Sequence, residues 1–209
     1  GESAETAVAA TGICNDLSIC TMEMYNIIQW LDTCYKASFL SDKGTGLDIS
    51  KLGTLEFFET LSNMIAHREG FGDILADGVK VAAQRIGSGA EKFAMHVGGQ
   101  EPGLHNALFL PSRGTGFVCD PTPGRHTAAP MARIDGGPAA YAPYPELKIE
   151  AFDRYTYTGK GPMSATASSD LQAGASAGLC IMPLMFFGNF PFVEFFNGLT
   201  YISKDNKLF

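Results

Sequence analysis

Cys14 and Cys20 bracket an Asn15-Asp16 pair in the stretch I-C-N-D-L-S-I-C-T at 13–21. Asn and Asp accept readily from the free N–H groups of a first helical turn, and such a turn, with its dipole, binds anions such as phosphate. The pair therefore reads as a helix start, with Asn15 and Asp16 positioned for a phosphate. Cys20 falls about one turn further in, where partial positive charge favours a thiolate able to ligate a soft metal. The plainer reading makes Cys14 and Cys20 two buried thiols of a core helix, since free cysteine is among the most buried residue types. A second small-aliphatic-Cys triplet, G-L-C at 178–180, rhymes with S-I-C at 18–20, each near a helix terminus. His126 is the other group of chemical interest: it sits in a Pro/Gly loop, and an imidazole titrating near neutrality exchanges protons. His67, His96 and His105 read as structural, Cys34 as core, and Cys119 and Asp120 carry no assigned role.

These residues need a scaffold, and composition bounds it. The 209 residues are 45% hydrophobic and 18% charged, enough to bury one good core or two small ones. A net charge of −7 and a pI near 5.0 argue against nucleic acid or a membrane surface as electrostatic partner. Phosphate must then be met by backbone and local side chains. No run reaches the apolar length of a membrane span and no signal-peptide pattern opens the chain, which reads as cytoplasmic. Five cysteines without C-x-x-C pairing are free thiols or metal ligands rather than a disulfide framework.

The apolar period points to a mainly α fold. Residues 1–11 read as a helix end or an arm. From Leu17 to Phe39 apolar residues recur at helical spacing through Ile19, Met22, Tyr25, Ile28, Leu31 and Tyr35, with Trp30 included in the buried stripe. Three glycines between Ser41 and Gly53 end that helix, and Leu55–His67 resumes the period with Phe57, Phe58, Leu61, Met64 and Ile65. Asp73 reads as the N-cap of a third helix, Ile74–Ile86, and Ala90–Val97 as a short fourth helix at best. From Gly98 to Gly124 the chain is rich in glycine and proline and reads as a long irregular segment. The fold class is thus two packed helical domains, 1–99 and 100–209, with that segment between them. Glu146–Tyr157 reads as helical or extended, and Met163–Met185 is rich in alanine. The tail from Phe186 to Tyr201 is aromatic on all sides, a density that reads as core.

The rhyming triplets resemble the two D-x-x-G-L-(D/C) signatures of the aldehyde ferredoxin oxidoreductases, tungsten-pterin enzymes in which each of two helical domains grips one pterin. Further stretches agree in order and separation: A-H-R-E-G-F-G-D-I-L-A-D-G-V at 66–79, H-V-G-G-Q-E-P at 96–102 and G-F-V-C-D-P-T-P-G-R-H at 116–126. The resemblance covers about Ile13 to Met182.

The resemblance implies a tungstopterin (bis-pyranopterin) cofactor with Mg2+ bridging the pterin phosphates, and a [4Fe–4S] cluster. The first signature maps onto Asn15, Asp16, Ser18, Ile19 and Cys20 as cofactor-binding residues, with Asn for Asp, Ser for Gly and Cys for the second Asp. The second maps onto Ala175, Gly178, Leu179 and Cys180, with Ala where the family has Asp. Cys180 falls where the family supplies the last cluster thiolate. The other three would come from a C-x-x-C-x-x-x-C run before Gly1. His126 falls at the proposed proton-moving histidine. Cys20 stands where aldehyde oxidisers carry Asp, and in this it resembles the benzoyl-CoA reductase tungsten-subunit branch, which offers a thiolate to the metal.

The implied protein is the helical portion of an oxidoreductase that oxidises aldehydes to carboxylic acids or reduces an aromatic acyl-CoA. Its partners would be ferredoxin or an iron–sulfur electron-transfer subunit, together with the remaining N- and C-terminal parts of the same enzyme, in an oligomer. The competing reading is a non-catalytic helical fragment or subunit that only binds a partner.

Overall fold

The computed structural model describes residues 3–103, 105–125, 135, 153–180 and 191–201. Among these, nine α-helices and two short 3-10 turns make the chain mainly α, with no named strand. Contacts divide it into two compact units, Gly1–Leu104 and His105–Phe209. No helix among the described residues is long and apolar enough to cross a membrane.

The first unit begins with a full helix where the sequence suggests a helix end or an arm. Helix α1 (Ala4–Asp16) starts at Ser3, whose hydroxyl accepts from Thr6 N–H at 3.3 Å. Its alanines carry high helix propensity, and it buries only Ala10 and Cys14. Asn15 and Asp16 therefore end a helix rather than start one. The next helix, α2 (Thr21–Lys36), is shorter than the periodicity suggested, and its buried face is rotated. Met24, Ile27, Leu31 and Cys34 form the stripe, with Trp30 beside them, whereas Met22, Tyr25, Ile28 and Tyr35 are half-buried. A short α3 (Asp42–Thr45) leads to α4 (Leu55–His67), which matches the expected span and buries Phe57, Phe58, Leu61 and Ile65.

The third expected helix is two. Helices α5 (Phe71–Leu75) and α6 (Gly78–Ile86) are separated by a break at Ala76-Asp77. Asp73 lies inside α5 and caps nothing. Instead, Glu101 Oε1 accepts from Val79 N–H at 2.5 Å, supplying the start of α6 from 22 residues away. Gly78, with φ of 83°, is needed there, since a Cβ would lie 2.9 Å from the same carboxylate oxygen. The fourth expected helix is a 3-10 turn, Ala90–Phe93. Helix α4 packs on α1 and α5, and α6 packs on α5 and α2, around one core that includes Met24, Leu31, Leu61, Leu75 and Ala82.

The second unit overturns the reading of 98–124 as irregular throughout. Helix α7 (Pro111–Cys119) lies in the middle of it, with Pro111 in the first turn, where its missing N–H costs nothing. Asp135 completes the cap: its carboxylate accepts from Ser112 N–H at 3.1 Å and from Ser112 Oγ at 2.6 Å. The same carboxylate lies 3.4 Å from the ammonium of Lys160, both groups being buried. Lys160 opens α8 (Lys160–Ser176), so Asp135 ties together the starts of two helices that pack on one another. Helix α9 (Phe192–Thr200) carries the end of the aromatic tail. That tail is not wholly core: Phe195 and Leu199 are exposed, and Tyr201 is 94% exposed.

Candidate functional site

The two signature stretches fold into the same local structure. At the end of α1, Ser18 N–H donates to Asn15 O at 3.2 Å and Ile19 N–H donates to Cys14 O at 2.8 Å. At the end of α8, Gly178 N–H donates to Ala175 O at 3.0 Å and Leu179 N–H donates to Gly174 O at 3.1 Å. Each is a Schellman cap, in which the residue after the C-cap adopts a left-handed conformation and the next residue is apolar. Ser18 has φ of 57° and Gly178 of 81°. The signature pattern is thus a helix end with a small residue and an aliphatic one, and this much is readable from sequence. Ser38 and Phe39 close α2 in the same way, followed by Leu40. What sets the two signatures apart is a thiol in that next position, Cys20 or Cys180.

Around the first cap, Asn15, Asp16 and Ser18 are exposed, while Ile19 is half-buried and packs against the core. Cys20 is a half-buried free thiol at the N-cap of α2, and its side chain makes no cap hydrogen bond. Helix geometry leaves the N–H groups of Thr21 and Met22 to an outside acceptor, so the anion-binding capacity expected at Asn15 sits instead at the start of α2, beside Cys20. Cys14 lies beneath as a fully buried thiol. Burial raises its pKa, against a lowering contribution from a hydrogen bond with the Thr21 side chain, and Cys20 raises it further. Cys14 is therefore part of the core, as the plainer reading had it, whereas Cys20 is not.

Around the second cap, Gly178 and Cys180 are exposed and Leu179 is half-buried. Among the described residues a Cβ on Gly178 would meet nothing within 4 Å, so the glycine answers to its φ and not to crowding, and the turn is open on that side. Ala175 offers no side-chain acceptor.

Two of the other recognisable stretches are structural supports for the first unit. Within 66–79, Gly72 lets α5 press on α4, since a Cβ there would lie 2.2 Å from the Met64 carbonyl carbon and oxygen. Arg68 reaches Asp73 at 3.0 Å and Asp77 at 2.6 Å, and Arg85 reaches Asp77 at 2.8 Å, an exposed network that the sequence reading did not find. Stretch 96–102 clips α2 to α6: Glu101 caps α6, and the Pro102 carbonyl accepts from Asn26 Nδ2 at 3.0 Å.

The stretch 116–126 closes α7 in the second unit. Asp120 Oδ1 accepts from both Thr122 N–H and Thr122 Oγ1 at 2.8 Å, and Gly124 N–H donates to Phe117 O at 3.0 Å. Asp120 is buried, and its Oδ2 has no hydrogen-bond partner among the described residues. His126 lies outside the described residues. Among the described residues, no three His, Cys, Asp or Glu side chains converge to hold a metal ion.

The chain matches the family described as aldehyde ferredoxin oxidoreductase, domains 2 & 3, over residues 2–205. A comparison with curated proteins finds no match. The matched residues span both units and both signature caps, so the chain belongs to the aldehyde ferredoxin oxidoreductase family.

Proposed function

We propose that the chain is the pterin- and iron–sulfur-binding helical portion of a tungsten oxidoreductase, with the Ser18–Cys20 and Gly178–Cys180 turns as its two cofactor-holding sites. The observation that carries this reading is the recurrence of one cap, with the same following thiol, at the ends of α1 and α8. Both turns suit a large cofactor. They present backbone at the surface and the second is open, while the described side chains form no cage for a bare metal ion. A metal there would be carried by the cofactor, with Cys20 or Cys180 as the thiol at hand.

When bound, the group would supply the redox chemistry. The chain's own contribution is positional. Asn15 can accept from a pterin N–H through its side-chain carbonyl, and the N–H groups at the start of α2 can face an anionic phosphate. Ala175 has no such group, so the second turn would meet a pterin through backbone alone. Cys180 would give one cluster thiolate, the other three coming from outside these residues. His126 would carry the substrate proton.

Cys20 selects between aldehyde oxidation and reduction of an aromatic acyl-CoA. As the N-cap of α2 it is half-buried and its side chain makes no cap hydrogen bond, which suits a soft ligand. X-ray absorption at the tungsten edge of the complete enzyme tests this. One sulfur more than the two dithiolenes supply, lost in Cys20→Ser, supports the thiolate ligand and the acyl-CoA branch. An unchanged sulfur shell removes both and leaves aldehyde oxidation. The partner-binding reading is favoured by Ala175, which stands where the family has Asp, and a tungsten-free complete protein would support it.

A further inference from the structure

Asn26, Trp30 and Thr33 lie one turn apart along one face of α2, and that face borders a cleft of about 250 Å³ in the first unit. Phe93 and Met95 line it from the 3-10 turn and the residues just after it. Trp30 is 3% exposed and its Nε1 donates to Ala90 O at 3.5 Å, so the indole is a fixed part of the lining. Met95 is 65% exposed, which leaves the cleft open at that edge.

Two polar side chains of the lining have their donors engaged. Asn26 Nδ2 donates to Met22 O at 2.9 Å and to Pro102 O at 3.0 Å, while Thr33 Oγ1 donates to Gln29 O at 2.9 Å. The Asn26 side-chain carbonyl and the Thr33 hydroxyl oxygen keep acceptor capacity. The charge in the lining is Lys92, whose ammonium lies 4.8 Å from the centroid of the Phe93 ring and 5.4 Å from that of Phe39. Ring faces hold the cation there. Among the described residues, no acidic side chain lines the cleft.

These groups define a ligand by their chemistry. A negative group answers Lys92, a planar body lies against the indole and the Phe93 ring, and an N–H answers the oxygen of Asn26 or Thr33. A single ring with one substituent has room, since a cavity of roughly 150 Å³ already accepts benzene.

We propose that this cleft binds a small planar organic anion carrying an N–H donor. The proposal does not depend on the cofactor reading: the cleft begins roughly 9 Å along α2 from Cys20 and uses neither signature thiol.

Trp30 is the chain's one tryptophan, so its emission reports this cleft directly. With the 209-residue chain, pyrrole-2-carboxylate should shift that emission saturably, with half-saturation in the millimolar range or tighter. Pyrrole-2-carboxamide, which lacks the charge, and 1-methylpyrrole-2-carboxylate, which lacks the ring N–H, should each bind about fivefold more weakly or worse. Lys92→Met should remove the preference for the acid over the amide. Thr33→Phe, which fills the cleft, should weaken binding about tenfold or more with helix content by circular dichroism unchanged. No saturable shift in the wild-type chain, equal binding of the three probes, or wild-type affinity in Thr33→Phe overturns the proposal. Lys92 is exposed, so its variant decides the matter if Thr33→Phe loses helix content, and an unchanged preference for the acid then overturns the proposal. Inorganic phosphate that shifts the emission as strongly would show an anion site without a planar pocket, and would overturn it as well.

Discussion

Ser18 and Gly178 hold the same position in two helix ends, one residue past the C-cap, with φ of 57° and 81°. Each donates its N–H to the carbonyl three residues earlier, and each precedes an aliphatic residue and then a thiol. A left-handed conformation costs an L-residue energy that glycine does not incur, so one of the two caps is strained and the other is not.

Substitutions at these positions should therefore move stability in opposite directions. Ser18→Gly should raise it by up to about 1 kcal/mol, and Gly178→Ala should lower it by about 1 kcal/mol. Urea unfolding of the two variants checks this, and equal signs would show that the caps are not equivalent.

Gly72→Ala should destabilise the first unit by about 3 kcal/mol, because overpacking against backbone is relieved only by moving a helix. The missing Cβ would sit 2.2 Å from the Met64 carbonyl, inside any van der Waals limit. A denaturation midpoint unchanged from wild type would mean that α5 can slide on α4 at little cost.

Cys34 is fully buried, and burial pushes its thiol from 9.0 up to about 11. The folded chain then keeps a proton that the unfolded chain releases. This contribution to stability is whole below pH 9.0 and is lost as pH rises towards about 11. Between about pH 8 and about pH 10.5, wild type should lose more stability than Cys34→Val, a variant with no proton to release. Cys14 and Tyr35 are also raised, so the difference between the two proteins is the quantity to measure. Parallel losses would place the titration elsewhere.

His126→Asn in the complete enzyme should retain tungsten and iron while turnover falls by about a hundredfold or more, the usual size of a lost general acid–base group. Cys180→Ser should do the converse, losing cluster iron and its spectrum. Full turnover in the histidine variant would return His126 to the solvated loop residue that its neighbours suggest.

The amphipathic part of the fold was legible in the sequence. Phe57, Phe58, Leu61 and Ile65 mark α4 to the residue, because its apolar period is strong and Thr54 caps it locally, accepting from Phe57 N–H at 3.1 Å. Both signature turns could be read as helix termini, since a small residue followed by an aliphatic one is a local pattern. Their polarity could not. Asn15 and Asp16 serve equally at a start or an end, and only the alanine-rich α1 before them decides, through propensity rather than period. What remained hidden depends on residues far apart in sequence. Glu101 starts α6 from 22 residues away, and Asp135 starts α7 from 23, so neither cap appears in the local stretch that it makes helical. A first turn needs its N–H groups satisfied, and the tertiary structure settled which carboxylate would do so.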